Sequence, residues 1–256
     1  MSGKKRPCIL LTNDDGYQSA GITTLRERLS KDYNVYMVAP DRERSAISMA
    51  LTLKRPLRVT EFSEHCFWID GTPIDCVNLA LHKLLPTTPD FIVSGMNFGE
   101  NISYDVFFSG TVAGAFSGFL YGIPSMAVSL IPDQTSNSAD SYNVDQGAEI
   151  ALRILRKLLP RKNADVVYNL NIPFHNNGEV IVTSLGDKKY YPDVEVRSDP
   201  RGKEYYWLGT GNPVYRLVEG TDVWALKNGY ISLSVIKYDL NCREEQQKLT
   251  EGLNEV

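Results

Sequence analysis

Short apolar runs at 8–12, 34–39, 91–93, 125–130 and 166–170 alternate with helical patterns at 20–31, 72–85, 111–121 and 142–159. No other property of the sequence narrows the fold as much. Strand-length runs separated by helices are the pattern of βαβ units, which build a mostly parallel, doubly wound sheet. Runs at 57–62 and 66–69 add two strands before the second helix. That helix has a defined start, because Thr72 can cap it and Pro73 falls at its first position, where a missing N–H costs nothing. In the helix at 142–159, Ala148, Leu152, Leu155 and Leu159 lie along one face, which is the face to be buried.

Beyond Pro173 the pattern changes. Asn177-Gly178 and Asn228-Gly229 read as hairpin turns, and the strands between them are rich in Tyr and Val. Residues 186–228 read as an extended β arm, with three aromatics in Lys203-Glu204-Tyr205-Tyr206-Trp207-Leu208. One chain of this size covers such an arm poorly, so it either packs on a second subunit or folds back on its own core. The stretch from Cys242 reads as a polar surface helix. A single domain over 1–256 is expected, with the core at about 7–185 and 229–241, the arm at about 186–228 and the terminal helix at about 242–254.

In open α/β sheets ligands bind beyond the carboxyl ends of the strands. Loops at 13–16, 40–45 and 94–101 all follow strands and can converge on one crevice. The first holds Asn13-Asp14-Asp15-Gly16. Two adjacent carboxylates repel, and one should protonate unless a cation sits between them. A hard divalent ion, which takes oxygen ligands, is one remedy. A turn built by Asn, Asp and Gly is the other reading, and on this stretch alone both stay open. The loop at 94–101 offers Asn97 and Asn101, whose amide oxygens are neutral ligands, although either also suits a turn or cap. Ser45 poses the same choice between weak ligand and hydrogen-bonding group. Ser109-Gly110-Thr111 opens a helix of small residues, an arrangement that suits phosphate oxygens or tight packing on the sheet.

Other chemistries fit less well. The three histidines, His65, His82 and His175, are widely separated and lack the spacing of a zinc site. No G-x-S-x-G elbow or G-x-x-x-x-G-K-[ST] loop is present. A formal net charge of -4 gives no general attraction for a nucleic-acid polymer or an anionic membrane. The basic amino terminus leads into only a short apolar strand, so it is not a signal peptide, and no run approaches the ~20 residues of a membrane span. Four cysteines without a C-x-x-C pair suit reduced thiols, and a cytoplasmic location is expected.

Four motifs stand in the order and spacing of the SurE family: Asn13-Asp14-Asp15-Gly16, Ala39-Pro40-Asp41-Arg42-Glu43-Arg44-Ser45, Ser94-Gly95-Met96-Asn97-Phe98-Gly99-Glu100-Asn101 and Ser109-Gly110-Thr111-Val112-Ala113-Gly114-Ala115. Asp199-Pro200-Arg201-Gly202, Tyr205-Tyr206-Trp207 and Gly220-Thr221-Asp222 also resemble it, so the likeness spans about 7–242. The resemblance implies a Rossmann-like core with a swapped β arm, in homodimers or homotetramers. It implies a stationary-phase survival protein that hydrolyses nucleoside 5′- and 3′-monophosphates, with some action on short polyphosphate. One divalent ion per subunit is implied, Mg²⁺ or Mn²⁺ before Ca²⁺. Matched position by position, the family's metal ligands fall on Asp14, Asp15, Ser45 and Asn97.

The mechanism expected from this match is metal-assisted hydrolysis, with Ser109, Gly110, Thr111 and Asn101 on the substrate and either carboxylate, Asp14 or Asp15, able to take a proton from the attacking water, Asp15 being the catalytic candidate. Asp239 matches a catalytic Asp of some members, but Arg243 stands where those members carry His. An aspartyl-phosphate intermediate is the competing chemistry. Two other functions are weighed against the hydrolase: a nucleotide-sugar transferase, and a stress protein that binds metal and nucleotide to regulate a partner.

Overall fold

The computed structural model describes residues 6–133, 135, 142–191, 193–209 and 211–253. The chain opens with β1 (Cys8–Thr12), α1 (Ala20–Leu29), β2 (Asn34–Pro40), β3 (Val59–Ser63), β4 (Cys66–Ile69) and α2 (Pro73–Leu79). It continues through β5 (Phe91–Phe98), α3 (Gly110–Leu120), β6 (Ser125–Ile131), α4 (Val144–Leu158) and β7 (Val167–Pro173). Then follow β8 (Val180–Thr183), β9 (Asp187–Lys189), β10 (Asp193–Ser198), β11 (Glu204–Gly209), β12 (Val214–Arg216), α5 (Asp222–Lys227), β13 (Ile231–Ile236) and α6 (Arg243–Leu253).

Among the described residues nine strands form the central sheet, in the order β3-β4-β2-β1-β5-β6-β7-β13-β8. Every pairing in it is parallel except β3 with β4 and β13 with β7. α1 packs with α4 on one face, and α2 with α3 on the other. Coverage on both faces explains why β1 and β6 are buried at every residue and read as unbroken apolar runs rather than alternating ones. The chain leaves β1 toward β2 and β4, then returns through α2 to β5 on the other flank of β1. Strand order thus reverses between β1 and β5, and a crevice opens at their carboxyl ends.

Local chemistry sets the helix starts. Thr72 accepts from the Asp75 N–H and Asp75 reciprocates on the Thr72 N–H, with Pro73 in the first turn. The α-helix ends at Leu79, and Ala80–Leu84 continues as a π-helical turn. α3 lies close on the sheet because its small face permits it: a Cβ on Gly114 would sit 2.6 Å from Ser94 Oγ. The packing role expected of small residues in this helix is therefore filled.

The structure differs from the sequence reading in three places. β5 runs to Phe98, so residues that read as a loop from Ser94 are strand, and Asn97 stands near the strand's end. Gly95 makes this possible: its φ of +134° and its contact with the Val128 carbonyl exclude a side chain, and the register with β6 shifts between Ser94 and Asn97. Neither Asn-Gly pair joins a hairpin. β13 is inserted between β7 and β8, which Asn177-Gly178 connects, while Asn228 caps α5 and Gly229 follows at φ +75°. α5 itself lies within the stretch read as β arm.

The arm has a base and a tip. β9 and β12 pair antiparallel at its base, and β10 and β11 form the distal hairpin, exposed along both strands. No helix of the described residues is long and apolar enough to cross a membrane.

Candidate active site

Asp14 and Asp15 project from the turn after β1, at the reversal point of the sheet. The turn is built by its neighbours. Asn13 is buried and its Nδ2 donates to the Gly16 carbonyl and to Ser19 Oγ, both at 3.0 Å. Gly16 takes φ +94°, where the Arg42 backbone leaves room for no side chain. Arg44 N–H closes the second loop onto the Asp14 carbonyl at 2.7 Å. The Asn-Asp-Asp-Gly turn is thus the frame that presents the carboxylates.

Asp14 is 4 % exposed. The Thr111 hydroxyl donates to its Oδ1, and a Cβ on Gly110 would lie 2.8 Å from its Oδ2. Burial pushes the Asp14 carboxyl up, opposed by the Thr111 side chain and by nearby backbone N–H groups. Asp15 is pushed up to about 7, first by burial and then by the charges of Asp14 and Glu43. Its Oδ2 is buried and has no hydrogen-bond partner among the described residues. Two neighbouring carboxylates, one with an orphaned oxygen, form an arrangement that lacks a positive charge.

Asn97 Nδ2 donates to the Gly99 carbonyl at 2.9 Å, which leaves its Oδ1 available. Ser45 Oγ donates to Glu43 at 2.7 Å, which uses its proton and leaves its lone pairs to accept. Asp14, Asp15, Ser45 and Asn97 line one cleft of about 630 Å³, together with Asn101 and Ser109. A neighbouring cavity of about 220 Å³ borders Glu100 and His175 but holds none of the residues expected to bind metal, bind phosphate or catalyse.

These donors fit a hard divalent ion. Among the described residues no group of three or more His, Cys, Asp and Glu side chains converges as a metal site. An ion here would rest on two carboxylates and the neutral oxygens of Asn97 and Ser45, with water completing the shell. That oxygen set suits Mg²⁺, Mn²⁺ or Ca²⁺ rather than a thiolate- or imidazole-seeking metal.

The expected phosphate contacts divide. Ser109 lines the cleft, but its hydroxyl caps α3, accepting from Val112 N–H at 3.0 Å. Thr111 is fully buried and directs its hydroxyl at Asp14, so its side chain holds a carboxylate rather than facing the cleft. Gly110 admits Asp14 closely. Asn101 is buried at the cleft wall, its Nδ2 donating to Ser129 Oγ at 2.8 Å.

Asp239 stands elsewhere. β13 runs antiparallel to β7, with Ile236 opposite Val167, so the chain leaves it at the amino edge of the parallel strands, opposite the cleft. Asn241 and Arg243 hold the Asp239 carboxyl down to about 2, and Arg243 pairs with it at 3.1 Å. Within one chain this carboxylate is a structural ion-pair member, remote from Asp14 and Asp15.

Sequence reasoning missed the outer wall. Glu43, Glu100, Asp105, Phe108 and Tyr190 also line the cleft. Lys188, 3 % exposed, places Nζ 2.9 Å from Glu100 and 2.6 Å from Asp105 and lies over the Tyr190 ring. The pairing joins the base of the arm to the loop after β5, a contact that no local pattern announces.

Comparison with known proteins agrees with this architecture. The family model for survival protein SurE matches residues 9–192. A 5′-nucleotidase SurE of Geobacter sulfurreducens is 45% identical over 237 residues, covering 91% of this chain and 88% of that protein. Its counterpart in Geobacter metallireducens is 44% identical, covering 91% and 92%. The crystal structure of a SurE protein from Aquifex aeolicus superposes with a TM-score of 0.82 at 35% identity, covering 96% of this chain and 99% of that one. By sequence match, fold and the motifs gathered at its sheet edge, the chain belongs to the SurE family.

Proposed function

We propose that this chain is a divalent-metal-dependent phosphomonoesterase that cleaves nucleoside 5′-monophosphates, and 3′-monophosphates as well, to nucleoside and phosphate. The carrying observation is the Asp14–Asp15 pair at the β1/β5 reversal point, lining the same cleft as Asn97 and Ser45, with Asp15 Oδ2 buried and without a hydrogen-bond partner among the described residues. The 5′-nucleotidase activity named for the Geobacter relatives supports the substrate class.

The cleft's own charges argue the same way. Glu43, Glu100 and Asp105 add to Asp14 and Asp15, and Lys188 is already paired, so the bare cleft repels a phosphate. A Mg²⁺ or Mn²⁺ ion on Asp14, Asp15, Ser45 and Asn97 would supply the missing charge and Lewis acidity toward a phosphoryl oxygen. Thr111 fixes Asp14 through its hydroxyl and its backbone N–H, and Ser109, at the start of α3, lines the cleft where a phosphate would sit. The Asp15 carboxylate, which lines the cleft, is the group that would accept a proton from an attacking water. Phe108 and Tyr190 offer aromatic faces at the cleft to the nucleoside.

Phosphate release from nucleoside monophosphates, measured with Mg²⁺, Mn²⁺ or Ca²⁺ and with EDTA, tests this reading. Release that falls at least about 100-fold on chelation and returns with added metal is expected. Nucleotide binding without release would instead favour a binding protein.

The arm suits self-association. Tyr206, Trp207 and Leu208 are 59%, 60% and 83% exposed on the hairpin, too much apolar surface to leave in water. Light scattering should give the mass of two or four chains; a monomer at micromolar concentration would argue against an arm-mediated assembly.

A further inference from the structure

β7 carries asparagines at alternate positions, Asn169 and Asn171, and both are fully buried. Strand periodicity puts them on one face, between Tyr168, Leu170 and Ile172 on the other. A polar amide in that position is costly unless its groups are satisfied. Their hydrogen bonds converge on the Asn101 peptide. Asn171 Oδ1 accepts from the Asn101 N–H at 2.9 Å, and Asn171 Nδ2 donates to the Asn101 carbonyl at 3.1 Å. Asn169 Nδ2 donates to the same carbonyl at 2.7 Å. The Asn171 amide has only one workable orientation, since an N–H requires the oxygen and a carbonyl requires the NH₂. From β6, Ser129 Oγ takes the Asn101 side chain.

The grip is incomplete as a core. Asn169 Oδ1 is buried with no partner among the described residues, so an aliphatic residue there would remove an unmet polar group. Asn101, which the grip holds, lines the cleft beside Asn97 and Asp15.

We propose that Asn171, assisted by Asn169 and Ser129, is a positioning residue for the phosphoester site, clamping the Asn101 peptide so that the Asn101 side chain meets the substrate in one place. The inference rests on the assignment of Asn101 to the substrate under the proposed hydrolase. The clamp acts on the backbone from behind the cleft and touches neither substrate nor metal. Its removal should lower turnover more than binding, because a misplaced contact loses transition-state alignment first.

The test uses the full chain with saturating metal and a nucleoside monophosphate. It compares Asn171→Leu, Asn169→Leu, Ser129→Ala, Asn101→Ala and the pairwise combinations with Asn101→Ala, reading kcat, KM and melting temperature. Asn171→Leu should lower kcat about 10- to 100-fold, in the range seen when groups orienting a ligand are removed, with KM changed less than about threefold. Asn169→Leu should lower kcat without lowering the melting temperature, a combination that a purely structural role does not produce. Once Asn101 is already alanine, adding Asn171→Leu should cost less than about twofold more.

Losses that instead multiply in the double variant overturn the clamp while leaving the hydrolase reading in place. Full activity in Asn101→Ala overturns the assignment of Asn101 and the clamp with it. Should Asn171→Leu fail to fold, Asn169→Leu and Ser129→Ala take its place: losses that do not add to that of Asn101→Ala support the clamp, and losses that multiply overturn it.

Discussion

Asp15→Asn is expected to lower kcat/KM for a nucleoside monophosphate by about three orders of magnitude in saturating Mg²⁺ or Mn²⁺, and Asp14→Asn by a similar factor. That factor corresponds to about 4 kcal/mol of transition-state stabilisation, at 1.36 kcal/mol per tenfold. Each substitution keeps the shape and removes one of the two charges proposed to hold the cation. Stability should move differently from activity. Burial, then the Asp14 charge, raise Asp15 from its ordinary 3.8 to about 7 in the metal-free fold. A carboxyl raised on folding contributes stability that is full below its unfolded value and lost as pH rises through about 7. In EDTA at pH 8 the folded protein therefore carries the full penalty, and Asp15→Asn should melt no lower than the parent. Full metal-dependent activity in both variants would remove the carboxylates from the site. Activity lost only in step with unfolding would reduce them to a structural pair.

Much of the framework was legible because it follows from periodicity. β1, β2, β6 and β7 announce themselves as apolar runs, and α4 by its single buried stripe. What misled was chemistry that serves two structures. Asn228-Gly229 offers a positive φ, which a hairpin turn and a helix C-terminus both need, and here the helix takes it. α5 has only six residues, too few for a helical period to emerge against its surroundings. The Ser94–Gly95 step reads as loop because glycine usually breaks strands, yet at Gly95 the neighbouring backbone comes so close that only glycine fits.

The acidic half of the site was readable for a different reason. Asp14 and Asp15 are adjacent in sequence, so their repulsion is visible before any fold is known. The role of Thr111 was not, because a hydroxyl after Gly110 suits an anion as well as a neighbouring carboxylate, and only the placement of α3 against β1 decides. Nor could spacing reveal that Asn169 and Asn171 grip Asn101, since the contact depends on β7 lying beside β6 at the carboxyl edge of the sheet. Charge pairs across long separations have no local signature at all, and the outer wall of the cleft is made of them.

That wall yields the second large effect. Lys188→Met should destabilise the protein by about 3 kcal/mol, the lower end of what breaking a buried ion pair costs, because Glu100 and Asp105 keep some contact with water. For a chain of this length the melting temperature should fall by roughly 6–12 °C. Burial alone would push the Lys188 ammonium down, but the Asp105 and Glu100 carboxylates more than offset it and hold the group charged at any physiological pH. Methionine fills the space of the stem and leaves two carboxylates facing each other without a cation. The damage should spread, because Lys188 N–H also bonds Ser103 Oγ, and Ser103 in turn bonds Gly186 and Asp222 at the arm's base. Adding Asp105→Asn to Lys188→Met should recover part of the loss, since it removes one of the stranded charges. A thermal melt of Lys188→Met within about 2 °C of the parent would mean that the arm and the cleft wall are held together by packing instead of by this triad.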